Sequence, residues 1–184
     1  PVPLDDAPHS RSRMSGCCSG SCGAISAQFD AKRAEADLRR YSSKGPDPTT
    51  RLLRDGIVRA GAGQTVLDVG AGIGAASLEL LAAGFSSSVT VDASPAFVAV
   101  ARREAQARGL AARMDVREGD FVTTAATLPT ADAVVLDRVV CCYPHFRPIL
   151  EAAVMRSNRL LALSYPRDRW YVRLLVSFEN LPGV

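Results

Sequence analysis

The run Thr65-Val66-Leu67-Asp68-Val69-Gly70-Ala71-Gly72-Ile73-Gly74 constrains this chain more than any other stretch. An apolar strand ends in an acid and breaks into three glycines, each two residues from the next. A helical pattern follows at once. In α/β proteins this strand–turn–helix junction is where the backbone comes close to a nucleotide-like ligand. Dinucleotide folds place their glycines as G-x-G-x-x-G/A and set a phosphate on the helix N-terminus. Here the order is Asp-x-Gly-x-Gly-x-Gly, a different spacing. The plain alternative is a tight turn that holds no ligand.

The rest of the chain supplies context for that turn. At 184 residues it is long enough for one domain with a real core. No run of 18 or more apolar residues occurs, so no membrane span is expected. The net charge of +3 comes from mixed acids and arginines, not from a basic block, which argues against nucleic acid as a partner. The start carries no basic segment leading into an apolar run, so a cytoplasmic location is expected. Residues 1–23 read as a disordered, cysteine-containing tail, and 24–184 as the folded domain. Met14, the first methionine, is read as the natural start.

Residues 24–42 read as a helix with Glu35–Arg39 and Arg33–Asp37 as ion pairs four residues apart, and Ile25, Phe29, Leu38 and Tyr41 as apolar contacts. A second helix should start with Asp47 as N-cap and Pro48 at its first position, burying Leu53, Ile57 and Ala60. Alternation then sets in. Strands are expected at 65–69, 88–92, 113–118, 132–137 and 159–165. Helices are expected at 74–83, after Ser94-Pro95, at 145–156 with Ile149, Leu150, Ala153 and Val154 inward, and at 167–180, with residues 123–131 a loop. Near-continuous apolar strands alternating with helices mean an α/β fold: a doubly wound, Rossmann-like, mostly parallel sheet with right-handed crossovers.

Four features fall at the C-terminal ends of successive strands, the edge where open α/β sheets bind ligands. They are the glycine loop, Asp92-Ala93, Gly119-Asp120-Phe121, and Asp137-Arg138-Val139-Val140-Cys141-Cys142-Tyr143-Pro144. Glycine lets the backbone approach a ligand because no Cβ intervenes. A carboxylate such as Asp92 suits ribose hydroxyls, though a dehydrogenase places an acid there too, and a helix-entry acid is the bland alternative.

These motifs resemble the class I S-adenosylmethionine-dependent methyltransferases. Within that family the first motif, the arginine-laden first helix, the cysteine-rich start and the Leu-Asp-Arg-Val-Val-Cys-Cys-Tyr-Pro segment resemble a bacterial group related to magnesium-protoporphyrin O-methyltransferases. The resemblance covers about residues 15–178. It implies S-adenosylmethionine as cofactor and a small-molecule methyl acceptor, with O-methylation of a tetrapyrrole carboxylate as the finer reading. It implies that Asp68, Gly70, Ala71, Gly72 and Gly74 shape the pocket for the cofactor's amino-acid part. Asp92 and Ala93 would meet the ribose, and Gly119, Asp120 and Phe121 the adenine, with Asp120 accepting from its amino group. Asp137 and Arg138 would lie beside the sulfonium, with Asp137 holding the cofactor's ammonium or orienting the acceptor. No catalytic residue is assigned. His145, Tyr143 and Asp137 are the candidates, with helix entry as the bland account of His145 and a pocket-lining role for Tyr143. A porphyrin propionate is ionised near neutrality and would need no base.

The five cysteines fall in two clusters, Cys17, Cys18 and Cys22, then Cys141 and Cys142. Reduced thiols are the expectation; a thiolate metal site or a redox disulfide are the alternatives. No C-x-x-C pair is present and no metal is assigned. The family's sheet has seven strands, but this chain ends after the helix that follows the fifth. The expectation is therefore a sheet lacking its last two strands, an exposed fifth strand, and self-association through that edge. Two alternatives remain: a Rossmann-type NAD(P)-dependent oxidoreductase, and a truncated, non-catalytic cofactor-binding domain. The oxidoreductase needs another glycine spacing and a Tyr-Lys or His element that the sequence does not offer.

Overall fold

A computed structural model of the chain describes residues 29–143 and 146–165. Among the described residues twelve elements follow one another, with strands and helices alternating from β1 onward as the sequence pattern implies. Helices α1 (Ala31–Lys44) and α2 (Pro48–Arg59) precede β1 (Thr65–Val69). Then come α3 (Ala75–Ala82), β2 (Ser87–Asp92), α4 (Pro95–Ala107) and β3 (Met114–Glu118). A single turn α5 (Phe121–Thr124), a 3-10 turn over Ala125–Thr127, β4 (Ala131–Leu136), α6 (Phe146–Arg156) and β5 (Ser157–Leu163) complete the order.

Among the described residues the sheet has five strands, all parallel, in the order β3-β2-β1-β4-β5. Chain order reverses between β1 and β4, so the loops after these neighbours diverge and leave a crevice at their C-terminal ends. The register is continuous across the centre: Leu67 lies beside Val89 on one side and Val134 on the other. Val66, Leu67, Val69, Val134, Val135 and Leu136 are almost wholly buried. Each such side chain contributes on the order of 1.5–3 kcal/mol relative to exposure.

The two faces of the sheet are covered by different helices. Val66, Ala133 and Val135 pack with Ile57 of α2 and Ala76 and Leu80 of α3. Leu67, Val69, Val134 and Leu136 pack with Phe121 of α5 and Ile149 and Ala153 of α6. A third cluster joins Ala34, Leu38 and Tyr41 of α1 to Phe97, Val100 and Ala101 of α4. Thus α1 sits on α4, over the first half of the sheet, and is held beside the crevice.

Local chemistry explains most boundaries. The Ser94 hydroxyl accepts the Phe97 amide at 3.4 Å, with Pro95 at the first helical position, and this starts α4. Asp30 caps α1 by accepting the Arg33 amide at 2.8 Å. Asp132 accepts the Gln64 and Thr65 amides and the Thr65 hydroxyl, pinning the start of β1 to β4. Those same bonds hold the Asp132 carboxyl below its ordinary pKa.

Several expectations are corrected. Helix α1 starts at Ala31, because Asp30 caps it there; residues 24–28, with Ile25, lie outside the described residues. Glu35 pairs with Arg103 of α4 at 2.8 Å, not with Arg39, because α1 packs on α4. The Arg33–Asp37 pair forms, at 3.7 Å. Asp47 precedes α2 as expected but makes no capping bond; its carboxylate turns to two arginines instead. Ala60 is exposed, and Thr50 takes its place on the buried side of α2 with Ile57. Val154 is exposed, while Ile149 and Ala153 face inward. The 123–131 loop contains the end of α5 and the 3-10 turn, begun by Asp120, whose carboxylate accepts the Val122 amide. β5 is an edge strand among the described residues. The expected helix at 167–180 and the tail over residues 1–23 lie outside them. No helix among the described residues is long and apolar enough to cross a membrane.

Candidate active site

The loops after β1, β2, β3 and β4 close on one cavity of about 650 Å³, the size of a cofactor or drug-like ligand. Asp68, Gly70, Ala71, Gly72, Asp92, Ala93, Gly119, Asp120, Phe121, Asp137, Arg138 and Tyr143 all line it. Gly74 does not line it, and His145 lies outside the described residues.

The glycine loop is held from both sides. Its Ala71 amide donates to the Val91 carbonyl at 3.1 Å, and its Gly72 amide donates to the Asp92 carboxylate at 2.8 Å. The Gly74 amide donates to the Ala71 carbonyl at 2.9 Å. These three amides are engaged within the protein, so what the glycines leave for a ligand is chiefly space. Their individual reasons differ. All three have positive φ. At Gly70 a Cβ would lie 2.7 Å from the Val139 side chain. At Gly74 it would run into the methyl of Met114. Gly74 therefore lets α3 sit close to the sheet, and packing against Met114 alone already requires glycine there.

Two acids brace the loop, Asp68 buried and Asp92 half-buried. Asp68 accepts the amide and the hydroxyl of Ser77 in the first turn of α3, each at 3.0 Å. The Ser77 hydroxyl also meets that of Thr90 on β2, at 2.9 Å. Burial pushes the Asp68 carboxyl up to about 7, against the lowering effect of Ser77. Asp92 uses one oxygen for Gly72 and the other for the Ser94 amide at 2.8 Å. Burial raises its pKa, partly offset by these two amides. A carboxylate has about four acceptor positions, so each oxygen of Asp92 keeps one.

The loop after β4 carries the other acid. Asp137 accepts the Thr50 hydroxyl at 2.5 Å and the Ser164 hydroxyl at 2.7 Å. Arg138 has φ of 62°, and is the non-glycine residue with positive φ among the described residues. Its amide donates to the Ser164 hydroxyl at 2.7 Å, and its guanidinium reaches Asp47. Arg40 reaches the same carboxylate. Burial pushes the Asp47 carboxyl up, but the two guanidiniums outweigh it and hold it below its usual range. Tyr143 places its hydroxyl 3.1 Å from both oxygens of Asp120 and donates there. It therefore lines the cavity beside the acid at the end of β3.

Helices α1 and α2 form a wall that sequence reasoning missed. Phe29, Arg40, Tyr41, Asp47 and Thr50 line the cavity from that side. Phe29 meets Phe97 edge-on, with ring centres 6.0 Å apart, and its carbonyl accepts the Ser94 hydroxyl at 2.7 Å. Thr50 was within reach of the sequence: it precedes Leu53 and Ile57 by three and seven residues, on the same helical stripe. The Arg40–Asp47–Arg138 cluster joins residues nearly a hundred positions apart and left no local signal.

The cavity holds six aspartates against three arginines. An excess of carboxylates around an otherwise apolar chamber suits a ligand with positive charge. No group of three or more acid, cysteine or histidine side chains suited to a metal occurs among the described residues.

Residues 66–163, the stretch from β1 through β5, match the family model of the methyltransferase domain. The chain belongs to the methyltransferase domain family. That match does not favour the nicotinamide-dependent alternative. The fold is shared with solved methyltransferases. Magnesium protoporphyrin IX methyltransferase from Synechocystis, solved with S-adenosylhomocysteine, is 20% identical and matches with TM-score 0.69, over 88% of this chain and 80% of that one. A methyltransferase from Geobacter sulfurreducens is 26% identical, with TM-score 0.55 over 78% of each chain. An S-adenosylmethionine-dependent methyltransferase from Thiobacillus denitrificans, in complex with S-adenosylhomocysteine, is 18% identical, with TM-score 0.55 over 71% of this chain and 55% of that one. No curated protein matches the sequence significantly. In this methyltransferase the acid-rich cavity, with its open glycine loop and the acid at the end of β2, fits a cationic adenosyl cofactor in size and in charge.

Proposed function

We propose that this methyltransferase moves a methyl group from S-adenosylmethionine to an oxygen of a small molecule, with a carboxylate on a tetrapyrrole as the acceptor. The convergence of the loops after β1 to β4 on a single acid-rich cavity carries the reading. Likeness in fold to the Synechocystis magnesium protoporphyrin IX enzyme supports the choice of acceptor.

The bound cofactor supplies a methyl group already activated on a sulfonium. What remains for the chain is to bind, align and exclude water. Asp92 would take the ribose hydroxyls on the acceptor positions that Gly72 and Ser94 leave open. Asp120 would accept the adenine amino group while Tyr143 holds its carboxylate in place. Asp137, oriented by Thr50 and Ser164, would face the cofactor's ammonium. Arg40 and Arg138 share one carboxylate at the cavity wall, and a second carboxylate, from the acceptor, would be drawn to the same pair. An ionised carboxylate attacks without losing a proton, so no general base is required. The engagement of Tyr143 with Asp120, and of Asp137 with two hydroxyls, agrees with that.

Turnover with methyl-labelled S-adenosylmethionine and porphyrin carboxylates tests the reading. The account expects label in an ester that mild alkali removes, and none with the fully esterified porphyrin. Label entering amine acceptors while porphyrin carboxylates stay unlabelled would overturn the acceptor assignment. Arg138→Gln should raise KM for the carboxylate acceptor and leave cofactor affinity nearly unchanged.

A further inference from the structure

Cys141 and Cys142 are adjacent in sequence, both exposed, and both line the cavity. In an extended strand neighbouring side chains point to opposite faces. Here the chain turns: the Cys142 and Tyr143 amides both donate to the Val139 carbonyl, at 2.9 and 3.1 Å. The turn brings the two sulfurs to 3.6 Å, and the Cys141 thiol also leans on the Arg138 carbonyl at 3.5 Å. Neither thiol belongs to the apolar core, so burial does not account for the pair. Nor does the methyl-transfer chemistry above use it.

We infer that Cys141 and Cys142 form a two-sulfur binding site for a thiophilic trivalent metalloid on the exposed wall of the cavity. Soft thiolate ligands select soft acceptors and discriminate against oxygen-seeking cations such as magnesium or calcium. The turn holds the second sulfur beside the first, so the second bond forms at high effective concentration. With an arsenoxide, two As–S bonds form and the As=O bond breaks. Both thiol protons leave with that oxygen as one water, and the arsenic stays trivalent. A group bound there stands next to Val139 and Tyr143, which line the same cavity.

Phenylarsine oxide tests the site on the full, unaltered chain. Alkylation of the native protein followed by peptide mapping should show Cys141 and Cys142 protected together by the reagent. In a chain with Cys17, Cys18 and Cys22 replaced by serine, native mass spectrometry should show one adduct, with the mass of the reagent less one water. Cys141→Ser and Cys142→Ser in that background should each weaken binding by about 100-fold, the loss of the second sulfur. Alkylation of both thiols at the same rate with and without the reagent would overturn the inference. So would single-serine variants that bind as tightly as the pair. Neither readout depends on turnover, so a failure of the acceptor assignment leaves this result interpretable.

Discussion

The Asp92 carboxylate accepts the Gly72 amide at 2.8 Å, tying the end of β2 to the middle of the glycine loop. The same acid therefore shapes the loop and faces the cavity. Its two oxygens divide the work, one for Gly72 and one for Ser94.

Asp92→Ala should lose the brace on the loop together with charge-assisted bonds to the ribose. The expected cost is about 1.5–3 kcal/mol of cofactor affinity. Titration with S-adenosylhomocysteine checks it. An unchanged affinity in a folded variant would make Asp92 a brace and nothing more.

Substitutions at two of the glycines should separate stability from binding. Gly74→Ala sets a side chain at φ 80° and against Met114. The backbone alone costs about 1–2 kcal/mol, and each kcal/mol lowers Tm by about 2–4 °C in a chain of this size. Gly72, at φ 57°, carries a similar backbone cost, but a Cβ there makes only ordinary contact with Phe97, 3.5 Å away. Gly72→Leu should therefore weaken S-adenosylhomocysteine binding far more than Gly74→Ala does. Equal losses of binding in the two variants would contradict the division.

Thr50 joins the N-terminal helices to the end of β4 through Asp137. Thr50→Val keeps the shape and removes the hydroxyl, leaving Asp137 with Ser164. Urea unfolding should show a loss of about 1–3 kcal/mol. No change would mean that Asp137 finds another donor there.

Asp68 predicts a pH dependence. Its carboxyl is raised from an ordinary 3.8 to about 7 by burial, so the folded state holds a proton that the unfolded state has released. That stabilisation is complete below the unfolded pKa and is lost as pH rises through about 7. Asp68→Asn cannot ionise. Thermal melts across that window should show the variant gaining on the native protein as pH rises. A constant difference would show that Asp68 is ionised in the folded state throughout.

The alternation of strands and helices, the parallel sheet and the convergence of four loops were legible because each rests on a local pattern, whereas the order of the strands was not. Apolar strands, Ser94-Pro95 and the glycine loop each report their own neighbourhood. What stayed hidden depends on packing between distant segments. Glu35 could not be assigned to Arg103 before α1 was seen on α4. Asp47 looked like a cap because its sequence context fits one, yet Arg40 and Arg138 draw the carboxylate away. Gly74 carries the same motif as Gly72, and only the neighbouring Met114 shows that its reason is packing.

Isothermal titration with S-adenosylhomocysteine and with NAD, on the same preparation, tests the central claim most directly. The account predicts saturable binding of S-adenosylhomocysteine, lost in Gly72→Leu, and no heat from NAD. Saturable NAD binding with no S-adenosylhomocysteine signal would contradict it.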